Sequence, residues 1–244
     1  ILYDPEEKLP PSDKRALTRF IELARKMNVN AELITSEESY RLLEFDALFI
    51  RQTTALNHIT YQLAQKAELA DMVVIDDPVS IIRCTNKVYL KELLDKENIL
   101  TPRSKLLFNS NQNNYDEIIN ELGSPLVIKI PDGSFSQGVI KIRNNQEFDS
   151  ALESLFQESA ILLLQEYIPT DYDWRIGILN KEPLYACKYF MAKGHWQIYN
   201  HKSNGKSSSG DYETIPIYNV PKSVIKTAQK VTSVIGKGLY GVDL

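Results

Sequence analysis

Leu126-Val127-Ile128-Lys129-Ile130-Pro131-Asp132-Gly133-Ser134-Phe135-Ser136-Gln137-Gly138-Val139-Ile140-Lys141-Ile142 is the stretch on which the reading turns. An apolar, β-branched run passes into a small polar loop and returns as a second apolar run, which predicts two strands, Leu126–Ile130 and Val139–Ile142, joined as a hairpin. Lys129 lies inside the first run, and a lysine among apolar strand residues needs an anion. Gly133, Ser134, Ser136 and Gly138 expose backbone N–H groups without large side chains in the way, and such amides cradle phosphate. The loop joins two strands, whereas the glycines of dinucleotide and P-loop motifs open a helix; neither GxGxxG nor GxxxxGK[ST] occurs. Gly205-Lys206-Ser207 resembles the end of a P-loop, but Asn200 stands where its first glycine belongs. A protein kinase sets its Gly-rich loop before the strand lysine, the reverse of the order here, and HRD and DFG are absent. Taken alone, Lys129 and its glycines equally describe a strand-edge lysine beside an ordinary turn.

Outward from this hairpin, the N-terminal side alternates helix and strand signals. Ser12 is placed to cap a helix carrying Leu17, Phe20, Ile21, Ala24 and Met27 at helical spacing. Ala31–Ile34, Ala47–Ile50 and Met72–Ile75 read as short strands, with an amphipathic segment through Leu56, Ile59, Leu63 and Ala67 between the last two. That pattern is an open α/β sheet, closed off near residue 80 by Pro78. Asn86 then opens a helix with Val88, Leu90, Leu93 and Leu94 on its apolar positions. A helix over Asp116–Leu122 stops at Gly123, and another near Gln146–Phe156 precedes a strand, Ile161–Leu164. Beyond these, Trp174–Leu179 and Leu184–Met191 form an antiparallel hairpin about Asn180-Lys181-Glu182, followed by a strand, His195–Tyr199, a polar loop, Lys202–Asp211, a helix after Pro221 and a strand, Leu239–Leu244. The expected organisation is an N-terminal α/β domain over 1–80 and two α+β subdomains, 81–165 and 166–244.

Composition limits the partners. Of 244 residues, 43% are hydrophobic and 25% charged, the balance of an ordinary folded chain. With 28 Lys+Arg against 32 Asp+Glu, the net charge of -4 carries no general footprint for duplex nucleic acid or an anionic membrane. Any polyanion bound should be small. Cys84 and Cys187 stand far apart without a CxxC or Cys/His cluster, so neither a disulfide framework nor a zinc site is indicated. No apolar run approaches a membrane span, the start lacks a signal pattern, and the expected location is the cytoplasm. Ile1 in place of an initiator Met, and a last residue just inside a strand, suggest a fragment.

The wider set of residues is more specific than the hairpin. It comprises Asn86-Lys87 at a helix start, Lys129 before the loop, Gln165-Glu166-Tyr167-Ile168 ending a strand, Asp173-x-Arg175, Lys188, Asn200 and Asp243. In this order and at these intervals, residues 80–244 resemble the ATP-grasp superfamily, and most of all its RimK-like carboxylate–amine ligases, which append amino acids such as glutamate to a carboxylate. "RCTNK" followed by "TPRS" also looks like that family. The resemblance implies an ATP-grasp fold, α/β in its N-terminal domain and α+β in the two subdomains that hold the nucleotide between them. It implies that Lys87 and Lys129 reach the ATP phosphates beneath a flap of Ser134, Phe135, Ser136, Gln137 and Gly138. Glu166, Tyr167 and Ile168 would form the hinge whose backbone reads adenine, Asp173 would accept from the ribose, and Arg175 would orient the transferred phosphoryl group or acyl phosphate. Lys188 would act beside it, with Asn200 near the phosphates. Asp243 matches the first carboxylate for magnesium, or manganese in its place, with further ligands expected beyond Leu244. The implied partners are a small-molecule or peptide carboxylate and an amino acid, and a homo-oligomer is compatible with this.

Rival readings remain. Asp173 and Arg175 alone would be a surface ion pair. Arg51-Gln52-Thr53-Thr54 and His58 are placed to face substrate, although for His58 a structural role is favoured. The whole chain also suits a nucleotide-binding regulatory module without turnover, or another ATP-grasp chemistry such as D-alanine ligation or glutathione synthesis.

Overall fold

The computed structural model describes residues 1–109, 113–132, 138–201 and 207–244. The chain forms two compact units, Ile1–Arg83 and Cys84–Leu244.

The first unit is a small parallel sheet with helices. Helix α1 (Lys14–Lys26) is capped by Asp13, whose Oδ1 accepts from the Ala16 N–H at 2.7 Å. Ser12, expected as the cap, instead accepts from Arg51 Nε at 2.8 Å. A 3-10 helix over Ser36–Glu44 leads into β1 (Ala47–Phe49), α2 (Ile59–Leu69), β2 (Val73–Ile75) and α3 (Pro78–Thr85). The expected strand at Ala31–Ile34 reduces to one bridge, Leu2 to Ile34, and a second joins Leu2 to Ile50; both are parallel. The order across the sheet is therefore Ile34, Leu2, β1, β2. Leu2, Ile34, Leu48, Ile50 and Leu63 are buried together beneath the helices. Pro78, read from sequence as punctuation, opens α3, where its fixed φ suits the first helical position and its missing N–H leaves nothing unsatisfied.

The second unit holds two four-stranded sheets. It begins with α4 (Lys87–Lys96), whose cap Asn86 accepts from the Val88 and Tyr89 N–H groups. There follow β3 (Ser104–Phe108), α5 (Tyr115–Leu122), β4 (Leu126–Lys129), β5 (Val139–Ile142), α6 (Asn145–Leu155) and β6 (Ile161–Glu166). These strands pair antiparallel in the order β3-β6-β4-β5. One face carries Leu107, Leu126, Ile128, Ile142, Leu162 and Leu164, all at most 2% exposed, and packs on Tyr115, Ile118 and Leu122 of α5 and Phe148, Ala151 and Leu155 of α6. Alternation along a strand sends the intervening residues, Val127, Lys129, Leu163 and Gln165, to the other face.

The second sheet is built from β7 (Tyr172–Leu179), β8 (Glu182–Phe190), β11 (Tyr212–Ile215) and β12 (Leu239–Asp243), in the order β11-β8-β7-β12. The strands β9 (Tyr199–His201) and β10 (Ser207–Ser209) pair by themselves, and α7 (Lys222–Ile235) covers one face of the four-stranded sheet. The expected strand over His195–Tyr199 is irregular as far as Ile198. Ile176, Ile178, Ala186 and Val242 point to the α7 side with Val220 and Ala228, which leaves Asp173, Arg175 and Asp243 on the opposite face.

Candidate functional site

The polar faces of the two sheets of the second unit carry most of the sequence-selected residues. On the first sheet, Lys129 occupies the last position of β4 and is directly paired with Leu163 and Val139. Its ammonium donates to Gln165 Oε1 at 2.5 Å. Burial lowers its pKa from 10.5 to about 8, the positive charge of Lys87 lowers it further, and Asp173 partly restores it. Lys87 is likewise lowered by burial and raised by Asp132. Two partly desolvated cations close enough to repel each other form a pocket of unbalanced positive charge suited to a polyphosphate.

The geometry that holds Lys87 is local. Its N–H donates to Pro131 O at 2.9 Å, its ammonium reaches the same oxygen at 3.4 Å, and Asn86 Nδ2 donates to Asp132 Oδ1 at 2.9 Å. The start of α4 is thereby tied to the chain where it leaves β4 for the Gly/Ser loop. Of that loop, Ser134, Phe135, Ser136 and Gln137 lie outside the described residues, as does Gly133. Gly138 returns the chain to β5 at φ +64°, and a side chain there would meet Ile130 Cδ1 at 2.5 Å, so the position calls for glycine on both counts.

At the end of β6, Glu166 turns its carboxylate to Arg103. The Arg103 N–H donates to Oε1 at 2.7 Å and Nε to Oε2 at 2.8 Å, and these bonds hold the Glu166 carboxyl below its ordinary range. The Glu166 N–H donates to Arg103 O. Arg103 also donates to the Glu121 and Leu122 carbonyls, the orphan acceptors at the end of α5. The strand end is thus clamped, and the next residues, Tyr167 and Ile168, leave it. Lys141 Nζ sits 3.4 Å from the centroid of the Tyr167 ring, and Tyr167 meets Trp196 edge-on at 5.9 Å. Ile168 is exposed.

On the second sheet, Arg175 and Asp243 are register partners and form a bidentate pair, Nε to Oδ1 and Nη2 to Oδ2 at 2.6 Å each. Asp173, two residues before Arg175, accepts from Thr170 Oγ1 at 2.9 Å. Burial raises its carboxyl above the ordinary range and Asp243 adds to this, while Thr170, Arg175 and Lys129 act in the opposite sense. Lys129, Asp173, Arg175 and Asp243 therefore share one electrostatic neighbourhood. No group of three or more His, Cys, Asp and Glu among the described residues is arranged to hold a metal ion. Asp243 nonetheless suits magnesium, which takes one or two carboxylates and completes its shell with water and substrate phosphate.

Lys188 does not join this cluster. It pairs with Trp174, the residue between Asp173 and Arg175, and its ammonium lies 4.5 Å from the Tyr172 ring and 5.2 Å from the Trp174 ring. The cause is an irregularity between Gly177 and Ile178. Next to the turn, Leu179 pairs with Glu182 and Ile178 with Pro183, whereas beyond it Gly177 pairs with Tyr185. Leu184 is the extra residue, and the one-residue shift moves Lys188 to the opposite face from Arg175. The expectation of a catalytic Lys188 is corrected accordingly. Asn200 lies on β9 opposite Ser208 of β10.

Sequence reasoning missed Arg103, Gln165 and Asp132 as supporting residues. "TPRS" had drawn attention to the segment but not to the reach of Arg103 back to Glu166. His58 caps α2, its Nδ1 accepting from the Thr60 N–H at 3.4 Å.

The description of RimK-like ATP-grasp domains matches residues 84–244, the whole of the second unit. The chain belongs to the RimK-like ATP-grasp family. It is 24% identical over 206 residues to a probable alpha-L-glutamate ligase of Vibrio vulnificus, covering 83% of this chain and 65% of that protein. It is 27% identical over 212 residues to the alpha-aminoadipate–LysW ligase LysX of Sulfolobus acidocaldarius, covering 85% and 72%. The RimK-like chain thus spans somewhat less than two thirds of the length of the Vibrio relative. Its ATP-grasp fold is shared with a D-alanine–D-alanine ligase from Bacillus anthracis solved with ATP, at a TM-score of 0.71 and 20% identity over 100% of this chain and 79% of the other. The D-cycloserine synthetase DcsG matches at a TM-score of 0.70 and 13% identity, covering 93% and 80%. Among the described residues no helix is long and apolar enough to cross a membrane.

Proposed function

We propose that this RimK-like chain acts as an ATP-dependent carboxylate–amine ligase, and that Lys129, with Lys87 beside it, is the phosphate anchor. The observation that carries the reading is the pair of desolvated lysines on the sheet face opposite the α5/α6 core, near Asp173 and the Arg175–Asp243 pair. Anionic phosphates supply the counter-charge that Lys129 lacks. Asp173 accepts from the ribose hydroxyls, and the backbone of Glu166 to Ile168 reads the adenine edge. Arg175 grips two oxygens of the transferred phosphoryl group through its planar fork. A magnesium ion bound with ATP would neutralise phosphate charge, and Asp243 is the described residue that would hold it.

The substrate carboxylate attacks the γ-phosphorus, ADP departs, and the resulting acyl phosphate is displaced by an amine to give an amide and phosphate. No protein nucleophile is required; the chain aligns three anions and lowers their repulsion. The Ser134–Gly138 segment serves as the flap that keeps water from the acyl phosphate. The two partners are a small-molecule or peptide carboxylate and an amino acid, with glutamate the first amine to try, and the supply of ATP makes the cytoplasm the expected location. The test is to incubate the full-length gene product with ATP, magnesium and pools of amino acids and carboxylates while following ADP and new amide masses. ADP that appears only with a particular pair, together with the condensed mass, supports the ligase. ATP binding without either product favours a regulatory module.

A further inference from the structure

The order Ile34, Leu2, β1, β2 places a topological switch between Leu2 and β1, because the chain leaves Leu2 toward one side of the sheet and leaves β1 toward the other. In open parallel sheets small ligands bind outside the carboxyl ends of the strands at such a point. The two segments that emerge there are fastened to each other. Arg51 donates through Nε to Ser12 Oγ at 2.8 Å and through Nη2 to Pro11 O at 2.6 Å. The Thr53 N–H donates to Glu7 Oε1 at 3.1 Å, and the Thr53 hydroxyl reaches the same carboxylate. Gln52 lies between these two anchors, so its backbone is fixed from both sides.

Gln52 is only 7% exposed, and its side-chain carbonyl oxygen is buried with no hydrogen-bond partner among the described residues. A buried acceptor left unmatched destabilises a fold, and among the described residues Gln52 Oε1 is the single side-chain polar atom in that condition. Asp76 leaves β2 as Gln52 leaves the strand containing Ile50, whose N–H donates to Ile75 O at 2.6 Å. The acidic residues Glu7, Asp76 and Asp77 outnumber the single guanidinium of Arg51 at these strand ends. An unmatched acceptor in acidic surroundings calls for a cationic N–H donor.

We infer that the carboxyl ends of the strands in the first unit bind the ammonium group of a small amino acid, with Gln52 Oε1 as acceptor and the Asp76 carboxylate as its counter-charge. Within the ligase reading, on which this assignment rests, the ligand is the amine partner, and Gln52 determines that the molecule accepted carries a free amino group.

The test uses thermal-shift and calorimetric titration of the full chain with the L-amino acids singly, without ATP, and with the des-amino counterpart of each that binds. At least one amino acid is expected to stabilise the wild type while its des-amino counterpart does not. Gln52→Leu and Asp76→Asn are each expected to weaken that binding at least tenfold. A retained ATP-induced shift shows that a variant is folded; should Gln52→Leu fail to fold, Gln52→Glu, which keeps the acceptor and adds charge, is expected to bind the ammonium more tightly than the wild type. Equal binding of the des-amino counterpart, undiminished binding by Gln52→Leu, or no amino-acid binding at all overturns the proposal. Amino-acid binding without ADP release under any substrate pair would remove the ligase reading and leave this site standing. ADP release with no amino-acid binding at Gln52 would do the reverse.

Discussion

Raising the pH from 7.5 to 9.5 should weaken nucleotide binding to the RimK-like chain through one residue, Lys129. Burial brings its pKa from 10.5 to about 8, so the binding-competent ammonium falls from about three quarters of the population to about 3% over that range. If bound phosphate keeps Lys129 charged, affinity drops about 25-fold, roughly 1.9 kcal/mol. The nucleotide's own charge is constant over these pH values, which isolates the protein's contribution. The assay is titration of ATP or ADP by calorimetry at several pH values, in the wild type and in Lys129→Arg, whose guanidinium stays charged throughout. The Arg variant should show a much flatter profile whatever its absolute affinity. The ligand-free chain should respond with the opposite sign: between pH 8 and 10.5 the unfolded lysine holds the proton that the folded one has lost, so stability rises with pH through that window. Wild-type affinity constant within twofold from pH 7.5 to 9.5 would refute the assignment of Lys129 as a desolvated phosphate anchor.

Three other outcomes follow from the geometry. Asp243→Asn releases Arg175 from its carboxylate and removes a negative charge, so affinity for metal-free ADP should rise about three- to tenfold by equilibrium titration, while stability falls by about 1 kcal/mol or less because the pair is partly exposed. Asp76, raised by burial to about 6 from 3.8, holds its proton in the folded state at pH values where the unfolded chain has lost it. Stability should accordingly fall as pH rises from about 4 to about 6, by on the order of 2–3 kcal/mol, and Asp76→Asn should remove that slope in chemical denaturation. Gly210→Ala should cost about 1–3 kcal/mol in the same measurement, because a Cβ there would lie 1.8 Å from the Phe190 carbonyl oxygen, a backbone atom that cannot step aside cheaply.

Features set by local chemistry were readable from the residues. Asn86 opening α4, Gly123 ending α5, the hairpin about Lys129 and the helix after Pro221 each combine a cap or breaker with clear periodicity. Features set by pairing were not. Ser104–Phe108 became β3 only because β6 lies beside it, and Ala31–Ile34 lacked a partner beyond the Leu2 bridge. The same distinction runs through the site. Lys129, Asp173, Arg175 and Asp243 meet in the structure as their order suggested, but Lys188 turns away because of a bulge at Leu184 that no periodicity announces. Arg103 and Gln165 act through residues far away in sequence, and Gln52 stands out only once its burial and its missing partner are known.

The most direct test of the ligase reading follows the oxygen atoms. With the substrate pair found by amide formation, the carboxylate is supplied labelled with heavy oxygen, and the phosphate released during turnover is analysed by mass spectrometry. An acyl phosphate intermediate predicts that each phosphate carries one heavy oxygen taken from the carboxylate. Amide formed alongside unlabelled phosphate would contradict the account.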